Sequence, residues 1–323
     1  MLNPVWKLCD ATLEGRAEPR LSSVSLEIPA GVTAIMGASG AGKSSLLGLL
    51  TGFEKPDAGA VEFACPDSAA LPLFWSPQDD GLWPHLTVEQ HLEYVLPTQS
   101  KLNRSAVEWL EVFGLGELKS VLPDSLSQGE RSRLALARAL ASEAAVLVLD
   151  EPLVHVAPRQ AHRYWQIIAE HVPAVCSAVV FSTHDPDAVR KYAERVVCLN
   201  GGRLAFSGTV DSLWEEPPSE ELAWLLGPCN WMSEGDLNGE AKPVAAKPAQ
   251  LCVRPSRLGL THDGEGPFAV ESLLKTAGGA EVRLREQGAE RRLEVFTTQN
   301  CEGFAIGDAV RISVSLPKSD RPK

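Results

Sequence analysis

The sequence predicts an α/β fold, a parallel sheet with helices packed on it, followed by a small all-β domain. Three observations carry this. The apolar runs "GVTAIM", "AVLVLD" and "AVVFSTH" have the length and continuity of strands buried on both faces. Capped or amphipathic helical segments separate them, and strand–helix alternation of this kind implies parallel pairing. Beyond residue 250 the helical patterns stop and only short alternating segments remain.

Along the chain, "VWKLCDATL" and "LSSVSLEI" alternate as half-buried strands do, and "GVTAIM" runs into a glycine-rich turn. A helix is expected from about Lys43 to Leu50, then a turn at "KPDAG" and a strand at "AVEFA". Residues 84–120 read as mostly helical, with "TVEQHLEYVL" and "SAVEWLEVFGL" as amphipathic pieces. The stretch "LSQGERSRLALARAL", Leu126 to Leu140, shows its helix start openly: Ser127 caps, and Glu130 three residues later completes a capping box. Gly129 in that first turn lowers helix propensity and calls for another reason. "AVLVLD" and "AVVFSTH" bound the helix "RQAHRYWQIIAEHV", and "VVCLNGGRLAF" reads as a hairpin through Asn200–Gly202. Near Gly227 the composition turns to Gly, Pro, Ala and polar residues, which suits a linker. The segments "LCVRPSRLGL", "AEVRLRE", "RRLEVFTT" and "AVRISVSL" then predict the small β domain. No internal repeat or low-complexity tract is visible.

Composition narrows the class. In 323 residues, 44% are hydrophobic and 22% charged, enough for an ordinary core. A net charge of -12 argues against a general nucleic-acid binder. Seven singly placed cysteines without a C-x-x-C pair suit buried thiols in a reducing compartment, not a disulfide framework or zinc site. "MLNPVWKLCDATLEG" lacks the basic and apolar regions of a signal peptide. No apolar run reaches the roughly 18 residues of a membrane span, since "LALARALASEAAVLVLDEPL" is broken by Arg138 and Glu143. Any membrane-spanning part is expected on another chain.

The chemistry is carried by short motifs. "GASGAGKSS" contains G-x-x-x-x-G-K-S from Gly37 to Ser44, after a predicted strand and at the start of a helix, the context of a P-loop. The backbone of Gly37, Ala38, Ser39, Gly40, Ala41 and Gly42, with Ser45 beyond, can converge N–H groups on phosphate oxygens at a helix N-terminus. Lys43 is expected to reach the β- and γ-phosphates and Ser44 to ligate magnesium. "VLVLDE" ends a buried strand in Asp150, which suits the magnesium shell, and Glu151, placed to polarise an attacking water. An acidic pair at a strand end is weak evidence alone and strong evidence beside a P-loop. ATP and Mg2+ are the cofactors this pair of motifs implies.

Five motifs in order, the P-loop, the glutamine of "SPQDD", "LSQGE", "VLVLDEP" and the histidine of "STHD", resemble the ATP-binding subunits of ABC transporters. The resemblance covers about residues 5–230 and extends more weakly to the end. It implies a P-loop NTPase (RecA-like) core with an antiparallel β subdomain and a helical subdomain at about 79–126, together an ATP-binding domain over 1–230. It further implies a linker at 231–249 and, over 250–323, a small OB-like β-barrel module of the kind called TOBE. Such domains pair head to tail, so Ser127, Gln128 and the backbone of Gly129 are implied to bind the ATP held by a second copy. Gln78 is implied to sense the γ-phosphate and join Ser44 and Asp150 around the metal. His184 is implied to contact the γ-phosphate and position the water, so that Glu151, His184 and Gln78 form the catalytic set.

The same resemblance implies partners: a second copy of the chain, an integral-membrane permease and, indirectly, a solute-binding protein, with no nucleic acid. It places the chain in the cytoplasm on the inner face of the membrane. "LWPHLTVEQHLEYVL", "LGPCNWM" and "LCVRPSRL" resemble the importer branch that carries molybdate, sulfate, iron, polyamines or sugars, and a module this short tilts the reading toward inorganic ions. Two other readings stay open. A soluble ABC ATPase of translation or DNA repair usually carries two ATPase domains or a coiled-coil insertion, and neither is seen between Gln78 and Ser127. A P-loop kinase or GTPase would not need the "LSQGE" helix.

Three positions depart from the family pattern. Glu130 stands where glutamine is usual, so a carboxylate near phosphate needs pairing, with Arg131 and Arg133 as candidates. Ala157 stands where an aspartate is common, which puts one contact between subunits in doubt. No aromatic occupies the usual place for stacking on adenine; Trp6 lies nearby and reads as either a core or a stacking residue. His85, His155 and His162 read as ordinary histidines.

Overall fold

The computed structural model describes residues 4–64, 71–233, 236, 250–276 and 278–315. They fall into two compact units, Met1–Asp211 and Ser212–Lys323.

In the first unit, β1 (Trp6–Leu13), β2 (Leu21–Ile28) and β4 (Ala58–Phe63) form an antiparallel sheet in the order β2-β1-β4. A second sheet runs β5 (Leu73–Ser76), β6 (Val146–Asp150), β7 (Ala178–Ser182), β3 (Gly31–Met36), β8 (Arg195–Asn200) and β9 (Arg203–Thr209). Its first five strands are parallel, and β9 returns antiparallel through the Gly201–Gly202 turn. Every residue of β6 and β7 is buried, which is why these strands are continuous apolar runs and not alternating ones. Trp6 is 0% exposed, donates its indole N–H to the Leu50 carbonyl at 2.9 Å and packs its ring against Phe63. It is a core residue, so the stacking alternative is withdrawn.

The helices of this unit are α1 (Lys43–Leu50), α2 (Val88–Glu93), α3 (Ala106–Val112), α4 (Gln128–Ala141), α5 (Pro158–Ala174) and α6 (Pro186–Tyr192); α7 (Val210–Glu215) spans the division between units. Capping boxes open three of them, Thr87 with Gln90, Ser105 with Glu108 and Ser127 with Glu130. α2 and α3 pack on each other and on α4. Residues 84–120 are less helical than their pattern suggests. The segment between α2 and α3 is instead pinned by the buried Glu143 carboxylate, which accepts from the Ser100 hydroxyl and from the backbone N–H groups of Lys101 (2.6 Å) and Leu102 (3.2 Å).

The second unit holds α8 (Glu220–Leu225), a two-stranded pair of β10 (Asn230–Ser233) and β11 (Gln250–Val253), and a five-stranded antiparallel sheet. That sheet comprises β12 (Leu258–His262), β13 (Phe268–Thr276), β14 (Gly279–Glu286), β15 (Arg292–Thr297) and β16 (Ala309–Val314), in the order β12-β16-β13-β14-β15. "LCVRPSRLGL", read as one segment, is two strands of different sheets, because Pro255 has no N–H to continue a ladder. The packing divides the chain at Asp211/Ser212, earlier than the glycine-rich stretch that marks the change of composition. Arg254 supplies the reason. It is 1% exposed, donates to the carbonyls of Trp214, Ala223 and Gly227 at 3.1–3.2 Å, and lies 3.9 Å from the Trp214 ring centroid. Most of the expected linker, 234–235 and 237–249, lies outside the described residues.

His171 on α5 is buried with its ring edge toward Trp109. Burial penalises the imidazolium and lowers its pKa from the ordinary 6.5 to about 4, despite the opposing charge of Glu143. Between those values the unfolded chain binds a proton that the folded chain refuses, so folding stability falls as pH drops through that window. We expect a loss of at most about 1.4 kcal/mol per pH unit from this group. Urea unfolding of wild type and His171→Phe between pH 7 and pH 4 checks it: the variant should show the shallower dependence.

Candidate active site

Parallel register assembles the site. Ile35 on β3 and Asp150 on β6 both pair with Ser182 on β7, so three strands end in one row. The segments leaving these strands are therefore delivered to one edge: the loop from Gly37, the carboxylates of Asp150 and Glu151, and His184.

The loop from Gly37 to Gly42 joins β3 to α1. A Cβ on Gly37, at φ 149°, would stand 2.4 Å from the Leu199 carbonyl oxygen, so the loop closes only around glycine. Gly40, at φ 78°, has nothing within 4 Å of where a Cβ would sit, and Ala38, Ser39 and Gly40 are exposed. That open concavity at a helix N-terminus suits an anion. Lys43 crosses it: Nζ donates to the carbonyls of Gly37 (3.0 Å) and Ala38 (3.2 Å) and lies 3.1 Å from His184 Nε2. Burial lowers the lysine pKa, opposed by the charges of Glu151 and Asp150. Its ammonium is thus held by weak neutral acceptors, which phosphate oxygens can replace.

Asp150 is buried and accepts from the Ser182 hydroxyl at 2.5 Å. Glu151 takes a left-handed backbone, φ 49°, a conformation that costs a non-glycine residue on the order of 1 kcal/mol or more. Its N–H donates to Ser182 Oγ at 2.9 Å. One carboxylate oxygen lies 2.9 Å from His184 Nε2, and the other accepts from Gln78 Nε2 at 3.4 Å. His184 Nε2 faces both Glu151 and Lys43 and can donate to the first or accept from the second, not both at once. Ser44, Gln78 and Asp150 line one open cavity together with Phe53 and Trp75. Their hydroxyl, amide carbonyl and carboxylate are the oxygen donors that a hard divalent cation takes. Glu151 and His184 line a neighbouring cavity with Leu153, Val156 and Trp165.

Ser127, Gln128 and Gly129 line neither cavity. Ser127 and Gln128 are exposed at the start of α4. The Ser127 hydroxyl donates to Glu130 Oε2 at 2.7 Å and accepts from the Glu130 N–H at 3.3 Å. These bonds, with help from Arg133, hold the Glu130 carboxyl below its ordinary range. Of the two candidate partners, Arg133 lies 3.9 Å from Glu130, whereas Arg131 reaches Asp80 instead. A Cβ on Gly129 would stand 2.9 Å from the His155 carbonyl oxygen, so this glycine also admits the loop after Glu151 within its own chain. Ala157 is the N-cap of α5 and offers no side-chain cap.

Motif reading passed over three residues. His155 acts through its backbone carbonyl, against Gly129. Arg138 on α4 donates to the carbonyls of Asp80 (2.9 Å) and Gly81 (2.8 Å), tying the loop after Gln78 to that helix. Ser182 joins Asp150 to Glu151, and its signal was a lone hydroxyl ending an apolar strand.

A glycine loop with its lysine, beside an acidic strand end on a parallel sheet, defines a P-loop nucleotide-hydrolysing protein. A family model described as ABC transporter matches residues 21–154. The chain is 31% identical over 306 residues to the sulfate/thiosulfate import ATP-binding protein CysA of Brucella melitensis biotype 1, covering 86% of this chain and 85% of that one. It is 33% identical over 269 residues to the Fe(3+) ions import ATP-binding protein FbpC 1 of Rhodococcus jostii, covering 76% and 77%. Among solved structures, an ATP-binding subunit of an ABC transporter superposes with a TM-score of 0.58 at 23% identity, over 65% of this chain and 92% of that one. A dimeric post-hydrolysis state of an ATP-binding cassette bound to ADP and Pi gives a TM-score of 0.55 at 25% identity, over 64% and 98%. The chain belongs to the ATP-binding proteins of ABC transporters and is an ATPase.

Alanine is the better helix former by about 1 kcal/mol, so an unconstrained Gly129→Ala change would stabilise. The contact with His155 reverses the sign. Gly129→Ala is expected to destabilise the protein by about 1–2 kcal/mol in urea unfolding and to lower ATPase activity with it.

Proposed function

We propose that this chain is the ATP-hydrolysing subunit that powers solute import through a separate membrane permease, working as a head-to-tail pair. The observation that carries the pairing is the placement of Ser127–Gly129: an exposed helix N-terminus lining neither cavity of its own chain. A helix N-terminus favours an anion, and here the Glu130 carboxylate takes both the Ser127 N–H (2.8 Å) and its hydroxyl proton (2.7 Å), bonds that an incoming phosphate would replace. The ATP of a second copy supplies one. The solute class favoured is an inorganic ion, supported by relatives that import sulfate, thiosulfate or iron.

The loop amides of Gly37–Gly42 and the Lys43 ammonium bind the β- and γ-phosphates, with Ser45 in the first turn of α1 beyond them. Ser44, Gln78 and Asp150 would hold Mg2+, which when bound would neutralise phosphate charge and orient the γ-phosphate. Glu151 accepts a hydrogen bond from the attacking water. His184 fixes the Glu151 carboxylate at 2.9 Å and, once Lys43 turns to phosphate, is free to donate. Water attacks the γ-phosphorus, the bond to the β-phosphate oxygen breaks, and ADP and phosphate leave. ATP drives the permease only through its greater affinity for the closed pair. The first unit, Met1–Asp211, is the body of the ATP-binding domain, and the five-stranded sheet of the second unit, within the TOBE-like domain at 250–323, provides a regulatory or dimerisation platform. No helix among the described residues is long and apolar enough to cross a membrane. We place the chain peripherally on the cytoplasmic face beside the permease, with a solute-binding protein acting on the far side, and the import ATP-binding relatives support this.

Glu151→Gln keeps the size and polarity of the side chain and removes the base. It is expected to lower kcat about 100-fold or more while leaving ATP binding intact. Sedimentation should then find an ATP-dependent dimer; a persistent monomer carrying ATP contradicts the pairing.

A further inference from the structure

We propose that Ser182 is a positioning residue for ATP hydrolysis, its one hydroxyl setting both the metal-binding carboxylate of Asp150 and the backbone of Glu151. This rests on the proposed roles of Asp150 and Glu151 and adds to them a residue that contacts no substrate.

Ser182 is 0% exposed and is the only polar side chain in the strand "AVVFS". A buried hydroxyl in an apolar strand is tolerated when its hydrogen bonds are made. Here each capacity has a distinct partner. The hydroxyl proton goes to Asp150 Oδ1, and an oxygen lone pair receives the Glu151 N–H at 2.9 Å. Asp150 lies directly opposite Ser182 in the parallel register, so the first bond fixes one carboxylate oxygen and thereby how the other is presented to the cavity shared with Ser44 and Gln78. The second bond falls on the residue whose backbone is left-handed. That turn carries the Glu151 carboxylate away from the strand direction and toward His184 and Gln78. Without the hydroxyl, the Glu151 amide and one Asp150 oxygen lose their partner together.

A hydroxyl that merely satisfied packing would predict a uniform loss of stability and function on removal. A positioning hydroxyl predicts a split. In the full-length protein, Ser182→Ala should lower kcat by about 10- to 100-fold and raise the Mg2+ concentration needed for half-maximal activity. Binding of a fluorescent ATP analogue in EDTA should stay at the wild-type level, while the gain in affinity on adding Mg2+ shrinks. Ser182→Thr, which retains the hydroxyl, should recover most of both. The inference is overturned by a Ser182→Ala protein with wild-type kcat and Mg2+ requirement, by one that loses metal-free nucleotide binding in step with kcat, or by a threonine variant as impaired as alanine. Glu151→Gln measured alongside separates the levels. If it hydrolyses ATP normally, the site assignment itself fails; if it is inactive while Ser182→Ala is normal, only the role of Ser182 falls.

Discussion

The parallel register of β3, β6 and β7 is the constraint on which the rest depends. Because Ile35, Ser182 and Asp150 share one row, three chain segments remote in sequence leave the sheet at the same edge. A glycine-lined concavity, a metal-suited carboxylate and a strained glutamate then become neighbours. A slip of one residue in any of these strands would turn every side chain to the other face and scatter the set. Continuous burial of β6 and β7 makes such a slip costly.

Helix α4 adds a second constraint. Near its start, Gly129 packs against the His155 carbonyl in the loop after Glu151. Further along, Arg138 grips the carbonyls of Asp80 and Gly81 in the loop after Gln78. Gln78 and Glu151, hydrogen-bonded to each other at 3.4 Å, therefore sit on loops that touch one helix, and that helix presents Ser127 outward. In the proposed pair, a nucleotide of a second copy at the Ser127 end would bear on the helix that both loops touch. At this end the Glu130 carboxylate is engaged by Ser127 and lies 3.9 Å from Arg133. Ala157 leaves the start of α5 without a side-chain cap.

The sequence made the chemistry more legible than the scaffold. Loop glycines, Lys43, Asp150, Glu151 and the Ser127 cap announce themselves because backbone geometry and phosphate chemistry allow few substitutes. β5 was missed because "LFWS" is four residues between prolines, too short to show a period. β13 was missed because a bulge between Val270 and Ser272 shifts its alternation and brings Leu273 and Leu274 side by side. The boundary between units was obscured because Arg254, a charged residue in sequence, is a buried clasp in space. Ser182 and Arg138 act through bonds to residues over 30 positions away, which no local pattern records. Gly129 was read for its bare amide, and the carbonyl packed against it became visible only in the fold.

In the proposed pair one chain holds only half of a working site, and complementation tests this most directly. Lys43→Ala destroys the phosphate loop and Ser127→Arg destroys the signature, so each protein alone should be inactive. In a mixed pair, the intact loop of the Ser127→Arg chain meets the intact signature of the Lys43→Ala chain. ATPase activity should therefore appear on mixing the two inactive proteins. A mixture no more active than its separate components would contradict a site shared between two chains.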